Sequence, residues 1–184
     1  MAINKSERGG SALIVIDVQV NVVKDAYLRD EKVANMLAAV TKARAASVPV
    51  IWVRHSAEDL PLGSDGWQIV PDLVPFDSEP IIEKRYRSSF IETNLEEVLT
   101  KLKVSQLYIC GAETNNCVRH TAMGALDAGY DIVLLEDAHT TTSFEWDGFV
   151  IDAARTIDEQ NTNFIGYSLP TCSAGIKKVS EIWN

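Results

Sequence analysis

The sequence predicts a three-layer, doubly wound α/β fold in which a mainly parallel sheet of about six strands lies between helices. Short apolar runs of strand length alternate with longer segments whose apolar residues recur at helical spacing, and this alternation is typical of parallel sheets with right-handed crossovers. The 184 residues, 46% of them hydrophobic, fit one domain over residues 1–184, because a single core grows to roughly 100–200 residues before chains divide.

The first strand is predicted at residues 12–18, an unbroken apolar run typical of a strand that is covered on both faces. Asp30 is the predicted cap of the helix that follows. The apolar residues of this helix recur at helical spacing; they are Val33, Met36, Leu37 and Val40. The second strand is predicted at residues 50–53.

Residues 55–80 carry four prolines and several acids, which predicts a long loop with room for one short helix. Loops of this length inside compact domains are often functional. The third strand is predicted at residues 81–84. A capping box, Thr93-Asn-Leu-Glu96, opens the next helix, which runs through Leu102.

The fourth strand is predicted at residues 106–110, and residues 111–117 form a tight connection into a helix that Gly129 closes. The apolar face of this helix consists of Val118, Ala122, Ala125 and Leu126. The fifth strand is predicted at residues 132–135.

The last quarter of the chain is predicted from weaker patterns. A Thr- and Ser-rich turn at residues 139–143 leads to a predicted helix at residues 147–160. Residues 163–165 form the predicted sixth strand, and residues 174–183 form a closing helix.

Charge and composition exclude several kinds of partner. The chain has 17 basic and 26 acidic residues and a net charge of −9, which repels nucleic acid and anionic membrane surfaces. The polar N-terminal segment, residues 1–10, has no apolar run of signal type, so we expect a cytoplasmic protein. Three cysteines, an odd number, predict free thiols in such a compartment.

Three reactive side chains lie at or just after the carboxyl ends of predicted strands, where parallel sheets bind ligands: Asp17, Lys84 and Cys117. A carboxylate inside an apolar run needs a partner, and Lys84 is the natural one, although a purely structural ion pair is the alternative. Cys117 begins a helix, where free N–H groups and the helix dipole favour a thiolate. An ordinary buried cysteine is the alternative. Together the three side chains form a minimal set for covalent acyl transfer to water.

Three segments, in order, resemble the isochorismatase-like cysteine hydrolases. Residues 109–118, Ile-Cys-Gly-Ala-Glu-Thr-Asn-Asn-Cys-Val, resemble the family signature GxxTxxCV. Residues 13–19, Leu-Ile-Val-Ile-Asp-Val-Gln, resemble the opening strand, and residues 83–90 resemble the lysine segment. The resemblance extends from about residue 11 to about residue 163.

This resemblance implies a Rossmann-like sheet, a homo-oligomer (dimer or tetramer) and a triad of Asp17, Lys84 and Cys117. It further implies a cis peptide between Ala112 and Glu113, and an oxyanion hole formed by the N–H groups of Glu113 and Cys117. The implied activity is hydrolysis of an amide-type C–N bond in a small molecule through a thioester. The presence of Cys117 favours this amide-type substrate, because members of the family that cleave a vinyl ether commonly lack the cysteine. A vinyl ether hydrolase that uses Asp17 as an acid is the alternative.

The family's metal-dependent nicotinamidases carry an Asp-x-His pair where this chain has Val53-Arg54-His55, and no further histidine follows until His120. We therefore expect neither a metal nor another cofactor, since a zinc or iron site needs at least three protein ligands. Residues 63–73 resemble a stretch of streptothricin-type hydrolases. His120, three residues after Cys117, is an alternative base to Asp17.

Six polar or aromatic residues are candidates for contacting the substrate: Gln19, Trp52, His55, Trp67, Tyr86 and Trp146. Aromatic rings stack on planar substrates, but they pack equally often in the core. Arg85 and Arg87 are either carboxylate readers or solvated surface residues. Two non-enzymatic alternatives remain: a flavodoxin-like binding module, disfavoured by the lack of a Gly-rich phosphate loop, and a catalytically silent binding or thiol redox-sensing protein.

Overall fold

The computed structural model describes residues 7–183, so residues 1–6 of the polar N-terminal segment lie outside the described part. Its main feature is a six-stranded parallel sheet with the order β3-β2-β1-β4-β5-β8. The eight strands are β1 (Gly10–Ile16), β2 (Val50–His55), β3 (Ile81–Lys84), β4 (Val104–Ala112), β5 (Asp131–Thr140), β6 (Phe144–Trp146), β7 (Phe149–Ile151) and β8 (Ala174–Lys177). Strands β6 and β7 pair separately as an antiparallel hairpin.

Helices cover both faces of the sheet, which confirms the predicted three-layer α/β fold. They are α1 (Val20–Val23), α2 (Arg29–Ala45), α3 (Leu95–Lys101), α4 (Arg119–Asp127) and α5 (Ala153–Phe164). Short 3₁₀ turns lie at Asp65–Trp67 and Val179–Glu181. Within residues 7–183, no helix has the length and apolar character required to cross a membrane.

Strand β1 lies at the centre of the sheet and alternates its side chains between two cores. Leu13 and Val15 pack with helix α2 on one face, and Ile14 and Ile16 pack with α3 and α4 on the other. All four side chains are buried, as the unbroken apolar run predicted. Burial of each such side chain stabilises the fold by about 1.5–3 kcal/mol. The strand ends at Ile16 and not at the predicted residue 18, so the buried residues 12–16 fix the position of Asp17 directly after them.

The two predicted N-terminal helix caps are wrong in detail, whereas Gly129 follows the end of α4 with φ 94°, as predicted. Helix α2 begins after Leu28, which has a left-handed backbone with φ 49°, so Asp30 lies in the first turn and does not cap it. Helix α3 begins after Asn94, and Thr93 Oγ1 accepts a hydrogen bond from the N–H of Leu95 at 3.2 Å. The direction in which the chain enters each helix decides the cap, and that direction depends on tertiary packing.

The C-terminal predictions need four corrections. The predicted helix at residues 147–160 begins only at Ala153, because residues 144–151 form the β6–β7 hairpin. The predicted strand at residues 163–165 is the end of α5, and the predicted closing helix is instead strand β8 and a 3₁₀ turn. Strand β5 also extends through Thr140, into the segment that was predicted to be a turn.

Candidate active site

The carboxyl edge of the sheet brings together the three side chains that the sequence analysis singled out. Asp17 follows β1 directly, with a left-handed backbone (φ 50°) and an N–H donating to the carbonyl oxygen of Val53 at 3.0 Å. Lys84 is the last residue of β3. Cys117 lies in a π-helical turn, Thr114–Val118, that connects β4 to α4. Each residue is thus held by a strand end or by the helix start next to it.

Lys84 Nζ is the centre of this cluster. It lies 2.6 Å from Asp17 Oδ2 and 3.1 Å from Cys117 Sγ. It also donates to the carbonyl oxygen of Tyr86 at 3.2 Å and lies 3.4 Å from His55 Nδ1. The side chains of Lys84 and Asp17 are 0% and 1% exposed. A single ammonium therefore contacts both the carboxylate and the thiol in a site that excludes water from the ion pair.

Burial dominates the electrostatics of the cluster. It raises the pKa of Asp17, against the opposing effect of the Lys84 charge. Burial also raises the pKa of Cys117 to about 12, and the negative charge of Asp17 adds to this effect. The resting cysteine is therefore a thiol. Burial and the neighbouring carboxylate thus act against the thiolate that the helix start was expected to favour.

The connection after β4 approaches β1 very closely. Gly111 has φ 124°, and a Cβ atom there would lie 2.1 Å from the carbonyl oxygen of Ile16, so only glycine fits. The peptide bond between Ala112 and Glu113 is cis. The carbonyl oxygen of Glu113 accepts hydrogen bonds from the N–H groups of Asn116 and Val118 at 3.0 and 3.2 Å. Within residues 7–183, the N–H of Glu113 itself donates no backbone hydrogen bond.

A cavity of about 590 Å³ opens over the cluster. Its volume suits a small molecule, since ligand pockets typically measure about 300–1,000 Å³. Polar and apolar atoms form its walls in about equal parts, and the residues that line it are Asp17, Asn21, Val22, Lys24, Asp25, His55, Asp59, Leu60, Arg87, Glu113, Asn116, Cys117 and Thr142.

Of the six candidate substrate contacts, His55 lines this cavity, and Gln19 hydrogen-bonds to the backbone of His55. Burial, followed by the charge of Lys84, lowers the pKa of His55. Gln19 is fully buried. Its amide nitrogen donates to the carbonyl oxygens of His55 and Trp67 at 3.0 and 2.8 Å, and its oxygen accepts from the N–H of His55 at 2.7 Å. Gln19 therefore joins the end of β2 to the loop at Trp67, and it does not line the cavity.

The four aromatic candidates do not line the cavity formed by the described residues. The assignment of Trp52 to a pocket is wrong, because its ring is 1% exposed and its Nε1 donates to Glu79 at 2.7 Å. The guanidinium carbon of Arg54 lies 3.8 Å from the centre of the Trp67 ring, which is also buried. Tyr86 contributes its carbonyl oxygen to Lys84. Trp146 lies on the hairpin and is 72% exposed.

The structure places Arg87 at the cavity, and Arg85 and His120 away from it. Arg87 lines the cavity. Arg85 and His120 are absent from its lining, and His120 Nδ1 lies 2.8 Å from the carbonyl oxygen of Asn116. His120 therefore caps a turn of backbone, and the geometry favours Asp17 as the base beside Cys117.

Sequence reasoning missed several cavity residues, among them Asn21, Asp59, Asn116 and Thr142. They lie in loops and helix starts whose sequences carry no periodic signal, and only the meeting of the strand ends brings them together. Within the described part of the chain, no three His, Cys, Asp or Glu side chains are grouped as a metal site requires.

The sequence of the chain is similar to those of known hydrolases. The family model described as an isochorismatase domain matches residues 11–163. A streptothricin hydrolase from Streptomyces noursei is 32% identical over 137 residues, covering 71% of this chain and 54% of that protein. An N-carbamoylsarcosine amidase from Arthrobacter is 41% identical over 73 residues, covering 40% of this chain and 28% of that protein. The resemblance to streptothricin hydrolases expected from the sequence is thus confirmed.

The fold is shared with a solved structure. The crystal structure of a cysteine hydrolase from Pseudomonas syringae superposes with a TM-score of 0.83 at 23% identity, covering 100% of this chain and 93% of that chain. Two relatives named above are aligned over about half of their length or less. Their full activities therefore do not transfer directly to this chain.

Proposed function

The chain belongs to the isochorismatase family of hydrolases, and from this premise we propose that it is a cysteine hydrolase that cleaves an amide-type C–N bond in a small molecule. One observation carries the proposal: Lys84 Nζ lies 2.6 Å from Asp17 Oδ2 and 3.1 Å from Cys117 Sγ. A thiol, a carboxylate and an ammonium in mutual contact form an activated nucleophile with its base.

In the first half-reaction Cys117 attacks the carbonyl carbon of the substrate. Asp17 takes the thiol proton as the C–S bond forms, because the thiol is protonated at rest and its pKa is about 12. Lys84 contacts both groups, so its charge stabilises the carboxylate before the proton transfer and the thiolate during it. The raised pKa of Asp17 brings the two proton affinities closer together.

The tetrahedral oxyanion needs donors, and the turn after β4 supplies candidates. We assign the N–H groups of Glu113 and Cys117 to this role. The N–H of Glu113 donates to no backbone acceptor in the described residues, and both residues line the cavity. Removing one such donor typically lowers kcat by about 10²–10³-fold.

The tetrahedral adduct collapses when the C–N bond breaks and Asp17 returns the proton to the departing nitrogen. This leaves a thioester on Cys117 and a free amine or ammonia. In the second half-reaction water attacks the thioester carbon, Asp17 accepts a proton from the water, and the C–S bond breaks. Cys117 regains its proton from Asp17, and a carboxylic acid leaves. Each proton that Asp17 accepts is passed on within the cycle, and no cofactor is consumed.

The substrate class follows from the nucleophile and from the relatives. A thiol nucleophile suits acyl carbons, and one relative is named an amidase and another a streptothricin hydrolase. The cavity of about 590 Å³ accepts a small molecule. We therefore propose amides and carbamoyl compounds as the first substrates to test.

The test is release of ammonia or amine from a panel of amides, carbamoyl compounds and nicotinamide, together with the consumption of isochorismate, which contains no nitrogen and is followed separately. Wild type is compared with Cys117→Ala and with Cys172→Ala, a matched control in which a buried cysteine outside the cavity is removed. We expect turnover of at least one C–N substrate, a loss on the order of 10⁴-fold or more in Cys117→Ala, and retained turnover in Cys172→Ala.

Two outcomes contradict the proposal. Full amide turnover by Cys117→Ala would exclude the thiol nucleophile. Isochorismate turnover that survives Cys117→Ala, without any amide turnover, would assign acid catalysis by Asp17 to a vinyl ether substrate instead.

A further inference from the structure

A fully buried histidine contacts the π-helical turn Thr114–Val118, which carries Cys117 and is called the nucleophile turn below. His139 lies near the end of β5 and is 0% exposed. Its Nδ1 lies 2.9 Å from Thr114 Oγ1, and its Nε2 lies 2.8 Å from Asn161 Oδ1. It does not line the cavity, so the proposed mechanism leaves it without a role.

The partners of Asn161 fix the direction of each hydrogen bond. Asn161 Nδ2 donates to the carbonyl oxygen of Glu136 at 3.3 Å. The oxygen of the Asn161 amide therefore faces His139 and accepts from Nε2–H. In a neutral ring Nδ1 then lacks a proton and accepts from the hydroxyl of Thr114. The chain of donors runs without a gap from Thr114 to the backbone of β5.

The protonation state supports this arrangement. Burial lowers the pKa of His139 to about 4, and the charge of Lys32 acts in the same direction. The ring is therefore neutral at physiological pH, and Nδ1 remains available as an acceptor.

Thr114 is the first residue of the π-helical turn that carries Cys117, and it follows Glu113 directly. A second bond fixes the same turn to the same strand end, because Thr141 Oγ1 donates to Asn115 Oδ1 at 2.8 Å. The position of the nucleophile turn relative to β5 is thus set by two side-chain hydrogen bonds, and the one to His139 is fully buried.

We propose that His139 is a positioning residue for the nucleophile turn: it holds Thr114 and thereby keeps the Glu113 N–H directed at the oxyanion and the Cys117 thiol directed at the reacting carbon. It contacts neither the thiol nor the cavity, so it acts through Thr114. The inference rests on the proposed function for its kinetic effect, but its structural effect is independent of any substrate.

The experiment compares four single variants and the double variant His139→Leu, Thr114→Val by kinetics and by hydrogen exchange. His139→Leu removes both hydrogen bonds of the ring. Thr114→Val removes the hydroxyl while preserving the shape, and Thr114→Ser keeps the hydroxyl. Trp52→Phe is the matched control, because it breaks a partly buried hydrogen bond to Glu79 outside the cavity. Hydrogen exchange is followed by mass spectrometry on peptides that cover residues 113–118 and residues 50–55.

We expect His139→Leu and Thr114→Val each to lower kcat by about 10–100-fold with KM within about twofold, because small misplacement of a nucleophile costs rate and not binding. Exchange should accelerate at residues 113–118 and not at residues 50–55. Thr114→Ser should restore most of kcat. The double variant should be no slower than the slower single variant, since both changes break the same bond. Trp52→Phe should keep wild-type kcat.

Unchanged exchange at residues 113–118 in Thr114→Val would overturn the proposal, as would acceleration spread evenly over the chain, which indicates a general loss of stability. Thr114→Val decides the question if His139→Leu does not fold. If wild type turns over no compound of the panel, the proposed function fails, while the exchange data still decide the role of His139.

Discussion

The buried ion pair makes a strong prediction for Lys84→Met. Methionine has a similar length and no charge, so the substitution removes the ammonium and leaves Asp17 buried beside Cys117. Lys84 Nζ and Asp17 Oδ2 are 2.6 Å apart, and both side chains are almost completely shielded from water. The variant therefore tests the ion pair itself, with little change in packing volume.

The magnitude follows from the distance and the burial. At an effective dielectric constant of about 20, two unit charges at 2.6 Å attract by roughly 6 kcal/mol. Desolvation costs several kcal/mol per ion, so the intact pair is close to neutral for stability. Removing the ammonium leaves the carboxylate buried without its partner, which typically lowers the free energy of unfolding by about 3–5 kcal/mol. We expect a loss of this size in the free energy of unfolding at pH 8.

The loss should depend on pH. Burial already raises the pKa of Asp17, and Lys84 provides the largest opposing effect, so the pKa rises further in Lys84→Met. A folded state with a raised carboxyl pKa binds its proton more tightly than the unfolded chain does. The contribution of Asp17 is therefore fully stabilising below the pKa of an unfolded aspartate and is lost as the pH rises through the folded pKa. The variant should regain stability between pH 8 and pH 5.

Urea unfolding at pH 5 and pH 8 measures this effect. The double variant Asp17→Asn, Lys84→Met should be more stable than Lys84→Met at pH 8, because no charge remains buried. Lys101→Met, which removes an exposed lysine from α3, should change stability by no more than about 0.5 kcal/mol. A loss in Lys84→Met that is absent, or equal at both pH values, would refute the assignment of Asp17 as a buried carboxylate.

Three further predictions concern the cavity and the surface. The acid limb of the kcat/KM profile should lie above the pKa of an ordinary aspartate, since burial raises that of Asp17; a limb near pH 3–4 would contradict this. Gln19→Ala should cost about 1–3 kcal/mol in urea unfolding and should raise KM, because the backbone groups of His55 and Trp67 lose their partners; unchanged stability would show that water replaces the amide. Trp146→Ser should shift stability by less than about 0.5 kcal/mol, because the ring is 72% exposed; a larger loss would place the ring in contact with other parts of the chain.

The cluster of Asp17, Lys84 and Cys117 could be predicted from the sequence because each residue is tied to an element with a strong local signal. Apolar runs mark the strands, parallel strands share a carboxyl edge, and the residues that follow them meet there. The protonation state of Cys117 could not be predicted in this way. It depends on burial and on the charge of Asp17, and both arise only when the strands are assembled.

The C-terminal elements and the supporting hydrogen bonds had weaker signals. Strand β8 has the sequence Ala-Gly-Ile-Lys, which lacks an apolar run because it is an edge strand. The hairpin at residues 144–151 exposes large apolar side chains, and its pattern resembles the start of a helix. His139 and Gln19 are polar residues whose burial is made favourable by partners distant in sequence, and no local pattern reveals such partners.

The most direct test of the thioester mechanism is mass spectrometry of the enzyme after rapid acid quenching during turnover of the best C–N substrate of the panel. We expect an acyl adduct on the peptide that contains Cys117, with the mass of the substrate minus its amine, and no adduct on Cys110 or Cys172. Turnover with no adduct on Cys117, together with retained activity in Cys117→Ala, would contradict the thioester mechanism.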